Sequence, residues 1–154
     1  NRPFLGEDVE LIEGYRRMQG VVTRMEEERE VEELLADESL RMVNRNRSSG
    51  TRIVIDRPLG DRRPDGYTYE PHSHQAVAAA VAQGRADFGV TIEPAALSAG
   101  LRFRPLCEEH YDFVVPRGRL ERQAVKAFQE LLSPGSDVRA RLQEAGFSSP
   151  SGTG

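Results

Sequence analysis

The sequence contains a single cysteine, no long apolar run and no excess of positive charge. Cys107 alone cannot form an internal disulfide, and no apolar segment approaches the length of a membrane span or of a signal peptide's hydrophobic region. We therefore expect a cytoplasmic protein without membrane insertion. The formal net charge of −4 provides no general attraction to nucleic acid, so we expect no direct nucleic-acid contact by this chain.

Signatures of several enzyme chemistries are also missing. The chain has neither a phosphate-binding Gly-x-x-x-x-Gly-Lys-Ser/Thr loop nor a Gly-x-Ser-x-Gly nucleophile elbow. His72 and His74 are two residues apart and do not share a helix face, so no metal site is predicted. Asp87 is expected to accept hydrogen bonds at a strand start, and Glu93 to lie in the first turn of a helix, rather than to act as a catalytic pair. We expect a binding protein and not an enzyme, with no catalytic residue, metal or cofactor.

The most informative segment joins an apolar strand pattern to an apolar helix pattern. Residues 40–43 alternate as a strand does, residues 53–55 resume the apolar pattern, and residues 44–52 between them read Asn-Arg-Asn-Arg-Ser-Ser-Gly-Thr-Arg. If Thr51 opens a helix, the unpaired backbone N–H groups and the positive end of the helix dipole favour a bound anion. Hydroxyl and guanidinium donors suit a fully ionised oxyanion or a carboxylate. In the alternative, Ser49 or Thr51 only caps the helix and the arginines are solvated.

Strand and helix patterns alternate along the chain, with turn residues between them. Strands are predicted over residues 9–15, 19–23, 40–43, 67–70, 86–92, 102–105 and 111–115. Helices are predicted over residues 24–36, from 51 onward, and over 74–83, 93–99, 120–132 and 137–145. The segment 57–66 is rich in Pro, Gly, Asp and Arg and is predicted to be a mobile surface loop. This order predicts an α/β fold with a mainly parallel sheet flanked by helices.

Four motifs then occur in the order and near the spacing of one known family. They are Val43-Asn44-Arg45 through Ser49-Gly50-Thr51-Arg52, Tyr69-Glu70 with Ser73-His74-Gln75-Ala76-Val77-Ala78, Gly84-Arg85-Ala86-Asp87-Phe88-Gly89-Val90, and Glu109-His110-Tyr111-Asp112-Phe113-Val114-Val115-Pro116. Over roughly residues 14–146 the chain resembles the molybdate- or tungstate-binding branch of type II periplasmic-binding-protein-like domains. Members of this branch occur in the cytoplasm, fused to helix-turn-helix or molybdopterin-biosynthesis modules, and also resemble the effector domains of LysR-type regulators.

The resemblance implies a set of ligand-binding residues. In relatives the arginine ahead of the loop contacts the oxyanion, which corresponds to Arg45, with hydroxyl and backbone contacts from Ser49, Gly50 and Thr51. Ser48 departs from the glycine common in the branch and adds a hydroxyl donor. Ser73 is expected first as a helix cap and second as a ligand contact. The full predicted set is Arg45, Ser48, Ser49, Gly50, Thr51, Arg52, Tyr69, Ser73 and His74.

The resemblance also implies two lobes with the ligand between them. Residues 19–111 are expected to form one complete lobe, residues 1–18 a remnant of the first lobe, residues 112–146 its return crossover and C-terminal helices, and residues 147–154 a flexible tail. The chain begins at Asn1, so we expect it to be part of a longer protein that contains the rest of the first lobe. The incomplete lobe is expected to pair either with that segment or with a second copy.

Three functions remain open at the level of sequence. The first is a sensor for a small oxyanion of the molybdate or tungstate class. The second is an effector domain for an organic anion, such as a pterin derivative or a carboxylate, linked to transcription or to molybdenum cofactor biosynthesis. In that case Tyr67, Tyr69 and Tyr111 are candidates to stack on the ligand. The third is an oligomerisation scaffold that binds no ligand.

Overall fold

The computed structural model describes residue 6 and residues 8–149. The described elements, in chain order, are β1 (Val9–Thr23), α1 (Val31–Ala36), β2 (Met42–Val43), α2 (Gly50–Leu59), α3 (His74–Ala82), β3 (Phe88–Ile92), α4 (Glu93–Ser98), β4 (Arg102–Pro116), a 3₁₀ turn (Arg117–Arg119), α5 (Gln123–Leu131) and α6 (Asp137–Glu144). The α/β class predicted from the sequence is confirmed.

The strands form a four-stranded sheet in the order β2-β3-β1-β4. β2 pairs in parallel with β3, placing Val43 opposite Gly89, whereas β1 pairs with β3 antiparallel, placing Thr23 opposite Phe88. The sheet is therefore mixed, which corrects the expectation of a mainly parallel one. A parallel pair needs a crossover connection, and α2 and α3 lie between β2 and β3 in the chain.

The chain divides into two compact units. The central unit comprises Met18–Glu108, and the terminal unit comprises Asn1–Arg17 together with Glu109–Gly154. β1 and β4 each pass from one unit into the other. The interpretation of these units as the two lobes expected from the sequence stays a prediction.

The core of the central unit lies where α2 and α1 pack on the sheet. Gly89 allows a close approach of β3 to its neighbours, because a Cβ there would lie 2.7 Å from Val43 Cγ1 and 2.9 Å from Val77 Cγ1. The buried cluster consists of Val21, Leu34, Leu35, Met42, Ile55, Leu59, Phe88 and Val90.

The terminal unit carries a run of aromatic rings. Tyr15 stacks on Tyr111 with 5.5 Å between ring centroids, and Phe113 meets Phe128 of α5 edge to face at 4.8 Å. Phe147 contacts Tyr15 edge to face at 5.1 Å. α5 has no fully buried residue, and the contact between Phe128 and Phe113 is its aromatic contact with β4.

β1 and β4 are each one continuous strand, which corrects the prediction of two shorter strands in each place. In the terminal unit, Arg17 Nε donates to Glu109 Oε2 at 2.5 Å. Arg16 and Ser148 exchange backbone hydrogen bonds of 2.8 and 2.9 Å. These contacts involve polar residues that lie in the gaps between the predicted strands. The bonds of Arg16 also hold Ser148 of the predicted flexible tail, whereas residues 150–154 lie outside the described residues.

The helix predicted over residues 24–36 is shorter than expected, because α1 begins only at Val31. Glu30 and Glu33 form a reciprocal capping box at its start. Ahead of it, Arg29 bonds Glu27 at 2.7 Å and Asp37 at 2.6 Å. These ion pairs hold the acidic segment outside the helix.

Residues 67–70, predicted as a strand, form turns instead. Tyr67 N donates to Pro64 O at 3.1 Å and Tyr69 N donates to Gly66 O at 2.8 Å. The loop predicted from residue 57 begins later, because α2 continues through Pro58 and ends at Leu59. Four helices agree with their predictions within a few residues: α3, α4, α5 and α6.

Candidate functional site

The candidate site lies where the parallel strands β2 and β3 end. Their carboxyl ends meet at one edge of the sheet, where α/β proteins commonly bind ligands. Asn44, the residue after β2, donates from its backbone N to Tyr69 O at 2.9 Å and from Nδ2 to Tyr67 O at 3.2 Å. The loop before α2 is thereby tied to the segment before α3.

The loop before α2 is ordered by its own polar side chains. Ser49 caps the helix, and its Oγ accepts a hydrogen bond from Arg52 N at 3.2 Å. Ser48 Oγ accepts from Asn46 Nδ2 at 2.9 Å. The first turn, which begins at Gly50 and includes the buried Thr51, contains no acidic residue. Its backbone N–H groups and dipole therefore favour a negative charge.

Arg45 joins this loop to the start of α3. Its side chain is largely buried, with 9 % of the residue exposed, and Nη2 donates to His72 O at 3.4 Å. His72 lies directly before Ser73, which caps α3 by accepting from Ala76 N at 3.1 Å. The cap role expected for Ser73 is confirmed. The first turn of α3 also lacks acidic residues, so two anion-favouring helix N-termini are linked through one arginine.

Arg52 is engaged inside the central unit. Its Nε donates to both oxygens of Asp56 at 3.1 and 3.0 Å, and its Nη1 donates to Glu70 Oε1 at 2.7 Å and to Arg45 O at 3.0 Å. The guanidinium also lies 4.3 Å from the ring centre of Tyr67. Arg52, predicted as a ligand contact, thus holds the loop before α2 through its hydrogen bond to Arg45 O.

Glu70 is a carboxylate at the site that the predicted set of ligand-binding residues does not include. The hydrogen bond from Arg52 lowers the pKa of Glu70, and Arg47 lies 3.7 Å from the same carboxylate oxygen. Glu70 therefore stays ionised and neutralised by arginine. The segment before α3 thus contributes a carboxylate acceptor to the site, and its charge is balanced by Arg52 and Arg47.

His74 contacts a residue that sequence reasoning did not select. Thr91 of β3 is fully buried, and its hydroxyl donates to His74 O at 3.1 Å. His74 Nδ1 lies 3.2 Å from the same Thr91 oxygen. The same buried hydroxyl therefore contacts both the backbone carbonyl and the ring of His74 and fixes the first residue of α3 on β3. The sequence signal that could have identified Thr91 is a hydroxyl residue within a predicted buried, apolar strand.

The three tyrosines considered for stacking have different surroundings. Tyr67 lies between the guanidinium groups of Arg52 and Arg63, at 4.3 and 4.6 Å, and its hydroxyl donates to Asp56 at 3.0 Å. Tyr111 stacks within the terminal unit. Tyr69 has an exposed side chain at the site itself. Of the three, only Tyr69 combines exposure with proximity to the loop before α2.

Within 8–149, no group of three or more His, Cys, Asp or Glu side chains is placed to hold a metal ion. No helix in the described part of the chain combines the length and apolar character needed to cross a bilayer.

The site thus belongs to the class of α/β domains that present helix N-termini at the carboxyl edge of a sheet. The chain belongs to the PBP superfamily, whose domain matches residues 1–133. It is 34 % identical over 108 residues to YvgK of Bacillus subtilis (strain 168), an uncharacterized protein, covering 67 % of this chain and 34 % of YvgK. A second relative is an uncharacterized protein in the ferredoxin 2Fe-2S gene 5′ region of Clostridium pasteurianum, 33 % identical over 70 residues, covering 45 % of this chain and 62 % of that protein. The chain thus spans less than two thirds of either relative.

Solved structures share the fold at low identity. A protein from Clostridium perfringens whose crystal structure holds bound phosphate superposes with a TM-score of 0.67 and 10 % identity, over 93 % of this chain and 72 % of that chain. An ABC-type phosphate transport receptor from Vibrio cholerae gives 0.64 and 11 %, over 97 % and 76 %. The regulatory domain of MetR, a LysR family regulator from N. meningitidis, gives 0.62 and 9 %, over 97 % and 72 %. The chain therefore has the fold of ligand-binding PBP-like domains.

Proposed function

We propose that the central unit binds a small oxyanion at the N-termini of α2 and α3. The observation that carries this proposal is the pairing of two serine-capped helix N-termini, both free of acidic residues in their first turns and joined through Arg45 and His72. Phosphate is bound by one of the proteins that share the fold, and molybdate and tungstate are the further candidates from the sequence motifs. Binding, rather than catalysis, is the proposed activity, and we place it in the cytoplasm.

The number of donors at this edge is sufficient for a physiological affinity. Micromolar binding corresponds to about 8 kcal/mol, and a hydrogen bond to a charged group contributes about 1.5 to 3 kcal/mol. The Arg45 guanidinium, the Ser48 hydroxyl and the first amides of α2 and α3 number more than four donors before ordering costs are subtracted. This set of donors is sufficient to bind phosphate, molybdate or tungstate.

The test is calorimetric titration with phosphate, molybdate, tungstate and sulfate. We expect at least one of these anions to bind, and Arg45→Ala to lose binding while its circular dichroism spectrum stays unchanged. Arg85→Ala is the matched control, because Arg85 is an exposed arginine beyond the opposite end of α3. Unaltered binding by Arg45→Ala, or the absence of heat with all four anions, would contradict the proposal.

A second candidate function is recognition of an organic anion as a regulatory signal. The exposed ring of Tyr69 beside the anion-favouring edge supports it, since an aromatic face can stack on a planar ligand. A thermal-shift panel separates the two: stabilisation by pterins or carboxylates and not by inorganic oxyanions would favour the organic ligand. In that case Tyr69→Ala should remove the shift.

A further inference from the structure

A groove on the central unit lies apart from the α2 N-terminus, along the side of the helix. It has a volume of about 350 Å³ and is lined by Ile53, Val54, Arg57, Pro58, Leu106 and Cys107. The volume falls in the range of small-molecule sites, roughly 300 to 1,000 Å³. All six residues belong to Met18–Glu108.

The groove is apolar where a helix surface is normally polar. α2 buries Thr51, Arg52, Ile55 and Leu59 against the unit, yet Ile53 on its other side remains 70 % exposed. Val54 and Leu106 are only partly buried where they pack on the core. A single exposed isoleucine needs no explanation, but this one continues into an apolar depression formed with β4.

Arg57 is the only charged residue in the lining. Among the described residues its guanidinium takes part in no hydrogen bond or ion pair, in contrast to Arg24, Arg29 and Arg52, which contact carboxylates. An uncompensated cation beside apolar walls is complementary to a molecule with an anionic end and an apolar body.

We propose that this groove binds an amphipathic carboxylate, whose apolar body packs on Ile53 and Leu106 and whose carboxylate pairs with Arg57. The ligand differs from a small oxyanion because the groove offers one charged group and mostly apolar surface. A second binding site of this kind allows an organic acid to act on the chain independently of the edge at Arg45.

Cys107 makes the proposal directly testable, because it is the only cysteine of the chain and it lines the groove. The measurement is the rate of its alkylation by N-ethylmaleimide, with octanoate as the ligand probe and octanamide as an uncharged probe of the same length. We expect octanoate to slow alkylation in a saturable manner and octanamide to require a several-fold higher concentration. The same titration in urea should show no protection.

Two exposed positions provide the variants. Arg57→Gln should weaken protection by octanoate about fivefold, as expected for a partly exposed ion pair, and bring it close to that of octanamide. Ile53→Asp should weaken it further, while Arg85→Gln should leave it unchanged. Arg45→Ala should retain the protection, so failure of the oxyanion proposal and failure of this one give different results.

Three outcomes would overturn the proposal. One is an alkylation rate that octanoate does not change, and another is equal protection of the wild type and Arg57→Gln. The third is protection that rises with protein concentration in the absence of octanoate, together with a dimer in sedimentation, which would assign the groove to a second copy of the chain.

Discussion

Three helices of the described chain begin at a capping serine. This repetition allows a controlled test of the proposed oxyanion site at the N-termini of α2 and α3. The serines are Ser49, Ser73 and Ser136, and each hydroxyl accepts a hydrogen bond from the amide three residues later at 3.1 or 3.2 Å. Aspartate caps helices as well as serine does, so Ser→Asp keeps the cap and adds one negative charge. We expect Ser49→Asp and Ser73→Asp to lose oxyanion binding, and Ser136→Asp at the start of α6 to retain it.

The expected magnitude follows from the distance between the two charges. An anion held by the first amides of α2 or α3 would lie about 5 Å from a carboxylate at the cap, where two unit charges repel by about 3 kcal/mol at an effective dielectric constant of 20. Since about 1.4 kcal/mol corresponds to a tenfold change, a monoanion loses affinity by about a hundredfold or more, and a dianion loses more.

Stability should change little at the two site positions. A negative charge at a helix N-terminus contributes about 0.3 to 1 kcal/mol of stabilisation, so unfolding temperatures of Ser49→Asp and Ser73→Asp should equal or exceed that of the wild type. Ser136 Oγ also donates to Leu131 O at 2.6 Å, which an aspartate cannot do, so the control variant is the one expected to lose some stability.

Calorimetry with phosphate and molybdate, paired with thermal unfolding of the same samples, provides the assay. Affinities of Ser49→Asp and Ser73→Asp within threefold of the wild type would refute the reasoning, because an anion bound at these amides is repelled by the added carboxylate. An equal loss in Ser136→Asp would show that the effect is a general one of net charge.

Three further predictions concern stability. Gly89→Ala should lower the free energy of unfolding by about 1 to 3 kcal/mol in urea titrations, because its Cβ would lie 2.7 Å from Val43 Cγ1; an unchanged midpoint would contradict this packing. The hydrogen bond from Arg29 lowers the pKa of Glu27 from 4.5 to about 2, so this carboxylate stabilises the fold above pH 4.5 and the contribution disappears as the pH falls towards 2. Glu27→Gln should therefore lose less stability than the wild type between pH 4.5 and 2. The same decrease of the free energy of unfolding with pH in both proteins would count against this. Arg139→Met should cost about 2 to 4 kcal/mol in thermal unfolding, because the buried guanidinium donates to three backbone carbonyls, whereas a loss below 1 kcal/mol would mean that water replaces it.

Elements with local signals were predicted well. α3 has a serine cap, a run of alanine and valine, and Gly84 at a positive φ of 71° after its end, all within one short segment. α4 likewise has proline in its first turn and Gly100 at φ 65° after its end. Such signals act over a few residues, so the sequence contains all the information that they need.

Elements that depend on distant residues were predicted poorly. β1 continues through Arg16 beside β4, its neighbour in the sheet, and Ser148 near the far end of the described chain adds an isolated bridge at Arg16. The segment at Tyr67 is a turn rather than a strand. Its tyrosine ring packs against the guanidinium of Arg52, and its hydroxyl donates to Asp56 of α2. The segment does lie beside β2, since Met42 N donates to Asp65 O and Asn44 N donates to Tyr69 O, but its internal turn bonds from Tyr67 N to Pro64 O and from Tyr69 N to Gly66 O replace an extended strand.

The sequence by itself determined the α/β class, the loop before α2 as an anion-favouring segment, and the capping serines at Ser49 and Ser73, because all of these rest on local composition and on the helix that follows. Tertiary structure alone decided which donors face the edge of the sheet. It turned Arg52 inward towards Asp56 and Glu70, brought Arg45 to the start of α3, and placed His74 on a buried threonine of β3. The direction of a long side chain depends on the charges and carbonyls that folding places around it, and those partners come from positions far apart in the chain.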